Sequence, residues 1–283
     1  MKKKIISILL VCGPISYFAQ AIGARSAALG TCSSSLVDAY AGHNNPGALG
    51  FLDRTSTGFY YENRFLIKQL AFSGFSIGTP LKKGSIGLSY TTFGFSAFRQ
   101  SASAVSYGIA LNENISIGSK INFLNLFIGD VYGRAMAFTG ELGFLAKLSQ
   151  KVWVAGHVNN PTKSKFTNYN NEIIPSVINL GIQYLISKNV IALLEAEKSS
   201  YQKLNLKGGI EYKPSADIFL RAGASSNPAQ ASFGVGVKLK TFQFDLSSNY
   251  HYILGFSPQI GLVHTFGKDR KKSSETSNEG EKP

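Results

Sequence analysis

The side chains that could carry out chemistry are few in this chain and lie far apart. It has four histidines, His43, His157, His251 and His264. They are too far apart in the sequence to have the spacing of metal ligands. A serine beside His157 or His264 could form a hydrolytic pair, but the sequence has no P-loop and no paired-histidine motif, and we identify no nucleophile elbow. We therefore predict no catalytic residue, no metal site and no cofactor.

A second set of reactive groups consists of charges within otherwise apolar segments. The members that share a polar phase are Lys120, Lys207, Glu211, Arg221 and Asp245. Glu195 and Glu197 are spaced like paired catalytic acids, but no acid partner can be named for them. We interpret the first five groups as charges that face an interior, and Glu195 and Glu197 as interior charges or charges near a loop. The elements that carry these residues give the reason.

Those elements are short segments in which apolar and polar residues alternate, as in 105–111, 115–123 and 233–239. Alternation with a period of two places one set of side chains on each face of a strand. Here one set is bulky and apolar, whereas the other is small or polar, which is the pattern of a barrel in lipid. The set predicted to face lipid is Ile86, Leu88, Tyr90, Val105, Tyr107, Ile109, Ile115, Ile117, Ile121, Phe233, Val235, Val237, Phe242 and Phe244. Because a charge near the middle of the bilayer costs about 2–4 kcal/mol, the charges should face the lumen or an interface.

The whole of 55–266 divides into about fourteen such strands. We predict them at 55–65, 70–79, 85–95, 103–111, 115–125, 136–147, 152–159, 177–186, 190–198, 203–212, 217–224, 231–239, 242–251 and 257–266. Gly74 interrupts the phase of one segment and predicts a bulge or kink there. No apolar run after the N-terminus reaches the roughly 20 residues of a membrane-spanning helix.

Connection lengths suggest a sidedness for this barrel. Every second predicted connection is short, namely 81–84, 112–114, 149–151, 187–189, 213–215 and 240–241. The others are longer or looser, namely 96–102, 126–135, 160–176, 199–202, 225–230 and 252–256. Outer-membrane barrels have short periplasmic turns, longer outer loops and an even number of strands, so both ends of the barrel should be periplasmic.

The two ends of the chain are predicted to lie outside the barrel. Residues 1–20 have three lysines, an apolar core and a small-residue cleavage site near 19–21, as in a signal peptide. Cys12 lies within that signal and is a poor lipidation site, so Cys32 would be the only thiol left after cleavage. Residues 267–283 are polar and mixed in charge, which predicts a disordered periplasmic tail.

The net charge of +13 does not indicate a nucleic-acid partner. The positive residues are scattered, many of them in turns, whereas a nucleic-acid binder gathers them on one face beside stacking aromatics. Lipid of the outer membrane is therefore the partner that the sequence predicts most directly.

Residues 21–54 differ from the rest because they do not alternate and are rich in Ala, Gly and Ser. They contain Gly-Ala-Arg-Ser-Ala-Ala-Leu-Gly at 23–30, Asp-Ala at 38–39 and Asn-Pro-Gly-Ala-Leu-Gly at 45–50. This pattern resembles the start of the PorV/PorQ-like outer-membrane proteins, which are relatives of the FadL fatty-acid channels. Gly47 departs from that pattern, in which the position is usually Ala. The chain also lacks the large helical surface insertions with which the FadL channels gather fatty acids.

The resemblance implies an all-β, transmembrane antiparallel barrel of about fourteen strands, with 21–54 as an N-terminal hatch in its lumen. The turn at Asn44, Asn45, Pro46 and Gly47 is either a plain capped turn or a plug that must shift for a ligand to pass. The resemblance also implies location in the outer membrane of a Gram-negative, Bacteroidota-like bacterium.

Two functions follow from this, neither of them enzymatic. The first is an accessory or platform component of a type IX-like secretion or surface-assembly machine, with secretion-system proteins as partners. The alternative is FadL-like passive transport, with a small hydrophobic molecule as ligand. Compact loops favour the platform.

Overall fold

The structure is a computed structural model that describes residues 20–129, 133–167 and 173–267. The described residues form a closed antiparallel barrel in which each strand pairs with its sequence neighbours and β1 pairs with β14. The strands are β1 (Thr55–Asn63), β2 (Ala71–Pro80), β3 (Ser85–Phe95), β4 (Phe98–Ala110), β5 (Ile115–Ile128), β6 (Gly133–Lys147), β7 (Val152–Asn159), β8 (Val177–Ser187), β9 (Val190–Ser199), β10 (Asn205–Tyr212), β11 (Ile218–Ser226), β12 (Ala229–Leu239), β13 (Phe242–His251) and β14 (Gly255–Phe266). The predicted fold class, a barrel of about fourteen strands, is confirmed.

The alternation of the sequence corresponds to the two faces of this barrel. On β12, Phe233, Val235 and Val237 point outward and are 41–50% exposed, whereas Gly234 and Gly236 between them are buried. The other residues predicted to face lipid are likewise exposed or half-buried. The outer surface is therefore a continuous apolar belt, which is what a membrane-spanning barrel presents to lipid.

The predicted alternation of connection lengths is wrong in part. Connections expected at 96–102, 126–135 and 225–230 shrink to 96–97, 129–132 and 227–228, because the strands continue through them. The reason is visible on β4, where Gln100 and Ser101 resemble loop residues but pair in register with both β3 and β5. The connection 160–176, between β7 and β8, stays long as expected. Thr55 still pairs with Phe266, so both barrel ends lie at one edge, which we call the proximal end; the opposite edge is the distal end.

The bulge predicted at Gly74 is also wrong. Gly74 pairs regularly with Tyr60 on β1 and with Thr91 on β3. The apolar pattern of the sequence changes phase here because Phe72 points into the lumen, where it is 2% exposed. The register instead shifts on β8, between Leu185 and Ser187.

Residues 20–52 lie inside the barrel, against its inward-facing side chains. They form three short helices, α1 (Ala24–Ala28), α2 (Ala41–Asn44) and α3 (Pro46–Leu49). Helix α1 lies against the β11–β14 wall and α3 lies against the β3–β7 wall. We call residues 20–52 the lumen segment. Within the described residues, no helix has the length and apolarity needed to cross a membrane.

The predicted signal peptide and tail lie outside the described residues, apart from Gln20 and Gly267. Their boundaries, and the division of the chain at 20, 54 and 266, therefore stay predictions. Cys12 also falls outside the described residues.

Candidate functional site

The turn at 44–47 is fixed by its own asparagines. Asn44 makes two hydrogen bonds to the backbone of Ile22, donating at 3.0 Å and accepting at 2.9 Å. Asn45 is extended, as a residue before proline must be, and its Oδ1 accepts from Gly47 N at 2.9 Å. Pro46 follows as the first residue of α3, where no amide hydrogen is needed. The structure therefore has the geometry of a capped turn.

That turn is also bonded to the barrel wall. Asn45 Nδ2 donates to the carbonyl oxygens of Ser34 and Phe144, at 2.7 and 3.1 Å. Gly47 lies directly against the backbone of Phe144, at a separation that leaves no room for a Cβ. Ser116 Oγ donates to Gly47 O at 2.7 Å. The turn thus joins the lumen segment to β5 and β6.

The five predicted lumen charges are all buried inside the barrel, and the structure divides them between separate networks. The network nearest the proximal end, which we call the arginine network, contains Glu211, Arg221 and Asp245. Glu211 accepts two bonds from Arg25 at 2.9 Å each and one from Arg221 Nε at 2.7 Å. Arg221 Nη1 also donates to Asp245 Oδ1 at 2.6 Å. Arg25, which lies in the resemblance motif, is therefore the lumen segment's ionic link to the wall.

Lys120 belongs to a second network, centred on Glu141. Lys120 Nζ lies 2.8 Å from Glu141 Oε2 and donates to the carbonyl oxygen of His43 at 2.5 Å. The other Glu141 oxygen accepts from Asn122 and Asn159, at 2.6 and 2.7 Å. The sequence analysis missed Glu141, although its position on the inward phase of β6, opposite Lys120, was the available signal.

Lys207 belongs to a third network, with the two acids that share a phase on β9. Its Nζ donates to Glu195 at 3.0 Å and to Glu197 at 2.7 Å. Glu195 also accepts from the backbone amides of Ser33 and Ser34 and from Ser34 Oγ, at 2.6–3.0 Å. These carboxylates therefore anchor Lys207 and the lumen segment, and they do not form a pair of catalytic acids.

The histidines proposed for a Ser–His pair lack that arrangement. His157 Nε2 contacts Glu141 at 2.5 Å, and His264 stacks on Phe242 with ring centroids 4.2 Å apart. His43 contacts Ser89 Oγ at 3.2 Å, but its other nitrogen is bonded to Gln20 O at 3.0 Å. Burial, together with the nearby Lys120 ammonium, lowers the pKa of His43 to about 3, so this ring is neutral at pH 7.

One motif escaped the sequence analysis. Residues 74–78, Gly-Phe-Ser-Ile-Gly, have the spacing of a nucleophile elbow. They lie in the middle of β2, paired on both sides, so Ser76 is not on the strand-to-helix turn that such a nucleophile requires. Among the described residues, no group of His, Cys, Asp and Glu is arranged to hold a metal ion.

One side of the distal lumen is apolar. Two buried clusters line this side, one on β4–β6 and one on β1–β3. The first, which we call the distal apolar wall, comprises Ala102, Leu124, Leu126, Ala135, Ala137, Phe166 and Ile174. The second joins Phe72, Phe93 and Tyr60 to Ile22, Ala24 and Tyr40 of the lumen segment. Within the first cluster, Phe166 and Ile174 come from the 160–176 connection and pack against the residues of the strands.

Comparison with known proteins gives fold relatives but no sequence relatives. No protein-family model matches the chain, and no curated protein matches it. Among solved structures, the CymD monoaromatic hydrocarbon channel matches with a TM-score of 0.68 and 12% identity over 88% of this chain and 98% of that one. The toluene transporter TodX of P. putida matches with a TM-score of 0.64 and 13% identity over 88% and 100%. A Pseudomonas aeruginosa FadL homologue matches with a TM-score of 0.64 and 11% identity over 87% and 98%. Identities this low establish the fold alone, and the chain has the barrel fold of these channels.

Proposed function

We propose that this protein is an outer-membrane channel for small hydrophobic molecules. The observation that carries the proposal is the apolar side of the distal lumen, on which Leu124 and Leu126 point inward where a water-filled pore would be polar. The fold relatives support it, because those named for a cargo are a hydrocarbon channel and a toluene transporter. This favours the transport alternative of the sequence analysis over the platform.

The outer surface supports the location. Large apolar side chains such as Ile121 and Phe138 are 65–66% exposed around the barrel, and in water such a belt would aggregate. In a bilayer the same belt is solvated by lipid chains. The outer membrane of a Gram-negative bacterium is where such barrels occur.

The lumen segment supplies selectivity in this proposal. It bonds to charged wall residues through Arg25, Ser34 and the carbonyl oxygen of His43, so paired charges of the wall lie against it. A hydrophobic molecule gains about 25 cal/mol per Å² of apolar surface that it transfers from water to the distal wall. A hydrophilic solute gains nothing there.

The test is uptake by a Gram-negative host that lacks its own hydrocarbon channels. We expect expression of the protein to accelerate uptake of radiolabelled toluene without accelerating entry of a hydrophilic β-lactam. Accelerated β-lactam entry would indicate an open pore, and unchanged toluene uptake by correctly assembled protein would contradict the proposal.

Matched variants connect the result to the apolar wall. Leu124→Asn places a polar group on the wall and should abolish most of the acceleration, because a buried amide without partners disfavours apolar contact. Leu142→Asn makes the same change on the outward phase of β6 and should leave the lumen pathway intact. Heat-modifiable gel mobility confirms that each variant has assembled.

The platform remains a second candidate because of one observation. The distal edge exposes Leu66, Ile67, Tyr252 and Ile253, each between 45% and 69%. These residues lie on adjacent connections and could meet a protein partner of a type IX-like machine. Affinity purification from gently solubilised outer membrane tests this, since a platform should retain stoichiometric secretion components and a channel should not.

A further inference from the structure

A small polar chamber lies between the lumen segment and the β5–β10 wall. Its volume is about 20 Å³, enough for one water-sized group. Ser33 and Asn44 of the lumen segment line one side, and the Lys120 and Lys207 networks line the other. The chamber is therefore a meeting point of two networks that the sequence keeps far apart.

The donors at this chamber are already engaged. Lys120 contacts Glu141 and the carbonyl oxygen of His43, and Lys207 contacts both Glu195 and Glu197. Asn159 donates to Glu141. An incoming acceptor, such as a carboxylate, would have to displace one of these pairs.

The atoms left over are acceptors. Asn179 lines the chamber and is only 8% exposed, yet its Oδ1 makes no hydrogen bond within the described part of the chain. The strand register places it directly between His157 and Glu197. Glu197 bonds Lys207 through Oε2 alone, and its side chain remains 25% exposed where that of Glu195 is 2% exposed. The Asn179 amide oxygen is therefore buried without a donor, and it lies beside a Glu197 carboxylate that bonds Lys207 through one oxygen. Buried polar atoms of this kind normally have a hydrogen-bond partner.

The free acceptors show which kind of donor is missing. Lys120, Lys207 and His157 already contact the three glutamates that line the chamber. Because one free acceptor is a carboxylate oxygen of Glu197, a cationic donor fits it best. A primary ammonium has the size of the chamber and three donors.

The distal apolar wall begins farther along the strands that line the chamber. The inward-facing residues of β5 change from polar to apolar along the strand, from Lys120 and Asn122 to Leu124. The residues paired with them on β6 change in the same way, from Glu141 and Thr139 to Ala137. Each step of two residues is about 7 Å. A chain attached to a group in the chamber would therefore lie against apolar side chains.

We propose that the chamber binds the ammonium head of a primary alkylamine whose hydrocarbon chain lies against the distal apolar wall. Asn179 Oδ1 and Glu197 Oε1 accept from the head group. The inference rests on the proposed function, because the same wall receives the hydrocarbon chain, and it adds that cationic amphiphiles are preferred over anionic ones.

The test compares three eight-carbon probes that differ only in the head group. Octylammonium, octan-1-ol and octanoate are titrated against the protein in phosphatidylcholine nanodiscs, with empty nanodiscs subtracted, and binding is followed by ligand-observed NMR. We expect octylammonium to bind about tenfold more tightly than octan-1-ol, as a charge-assisted hydrogen bond predicts, and octanoate to bind most weakly.

Variants locate the preference. Glu197→Gln and Asn179→Leu should each bring octylammonium to the affinity of octan-1-ol, while Glu113→Gln, which changes an exposed turn, should leave the ratio unchanged. Should Asn179→Leu fail to assemble, the comparison of head groups in the unaltered protein still decides. Equal affinity for all three probes, or tightest binding of octanoate, would overturn the inference and leave the proposed function standing. No binding of any probe would overturn both.

Discussion

Glu211 illustrates how much the lumen depends on single charged residues. Its carboxylate receives bonds from Arg25 of the lumen segment and from Arg221 of β11, and its side chain is fully buried. Breaking a buried ion pair by removing one partner usually costs more than the pair contributes, because a charge is left without compensation. Without the Glu211 carboxylate, the guanidinium groups of both Arg25 and Arg221 would lose an anionic partner.

We expect Glu211→Gln to lower the free energy of unfolding by about 3–5 kcal/mol, the range for a buried pair that loses one charge. Urea titration of the protein in detergent micelles measures this. Asp217→Asn, an exposed change in the same part of the chain, serves as the control. Equal midpoints for the two variants would show that the arginine network does not stabilise the barrel.

Cys32 reports on the position of the lumen segment without any engineered label. It is 1% exposed and packs among Leu29, Leu36 and Leu193. Burial, with the nearby Glu195 carboxylate, raises the pKa of its thiol to about 12. Because a raised pKa keeps the thiol protonated below that value, the thiol is protonated at pH 8, whereas the thiolate is the reactive form.

We therefore expect maleimide to label Cys32 at least a hundredfold more slowly in the native barrel than after heat denaturation, with the low thiolate fraction and burial both acting. Glu195→Gln, which weakens the bonds to Ser33 and Ser34, should accelerate native labelling. Fast labelling of the unaltered native protein would mean that the segment lies outside the lumen.

At the scale of elements, helix α3 packs closely against the β5–β6 hairpin because glycines, which lack a side chain, lie at the contact. A Cβ on Gly47 would overlap the backbone of Phe144, and one on Gly118 would overlap Pro46. Backbone cannot rotate away as a side chain can. Gly47, which departs from the resemblance pattern, is thus required by the close approach of the helix to the strand.

We expect Gly47→Ala to cost about 1–3 kcal/mol, the usual cost of overpacking, and to increase labelling of Cys32 by displacing the segment. Gly140→Ala is the matched control on β6, because a Cβ there meets nothing within 4 Å. Thermal unfolding followed by gel mobility compares the two. Identical behaviour would refute the close packing of α3.

For the whole molecule, the prediction concerns the outer belt. Ile121 lies midway along β5 and is 65% exposed, whereas Leu239 is the last residue of β12 and is 58% exposed. In a bilayer, lysine should cost about 2–4 kcal/mol at the first position and about 0–1 kcal/mol at the second, since the cost depends on depth. Reversible folding into lipid vesicles gives both values. Equal, small costs would contradict burial of this belt in lipid.

The strands and their two faces could be predicted from the sequence alone. Alternation is a local property, so the phase of Val105 or Phe233 needs no knowledge of the neighbouring strands. The number of strands and the inward position of Lys120 and Glu211 follow from the same periodicity. The longer strand ends were missed where inward-facing Gln100 has loop-like chemistry, because only pairing on both sides distinguishes such a segment from a loop.

The tertiary structure alone decided which charges meet. Arg25 and Glu211 are separated by 186 positions, and Ser34 and Glu195 by 161, so no spacing in the sequence predicts either contact. The registers of the strands in the closed barrel, together with the path of the lumen segment through it, bring these groups together. The periodicity of the sequence fixes the direction in which each side chain points, whereas barrel closure fixes the partner that it finds there.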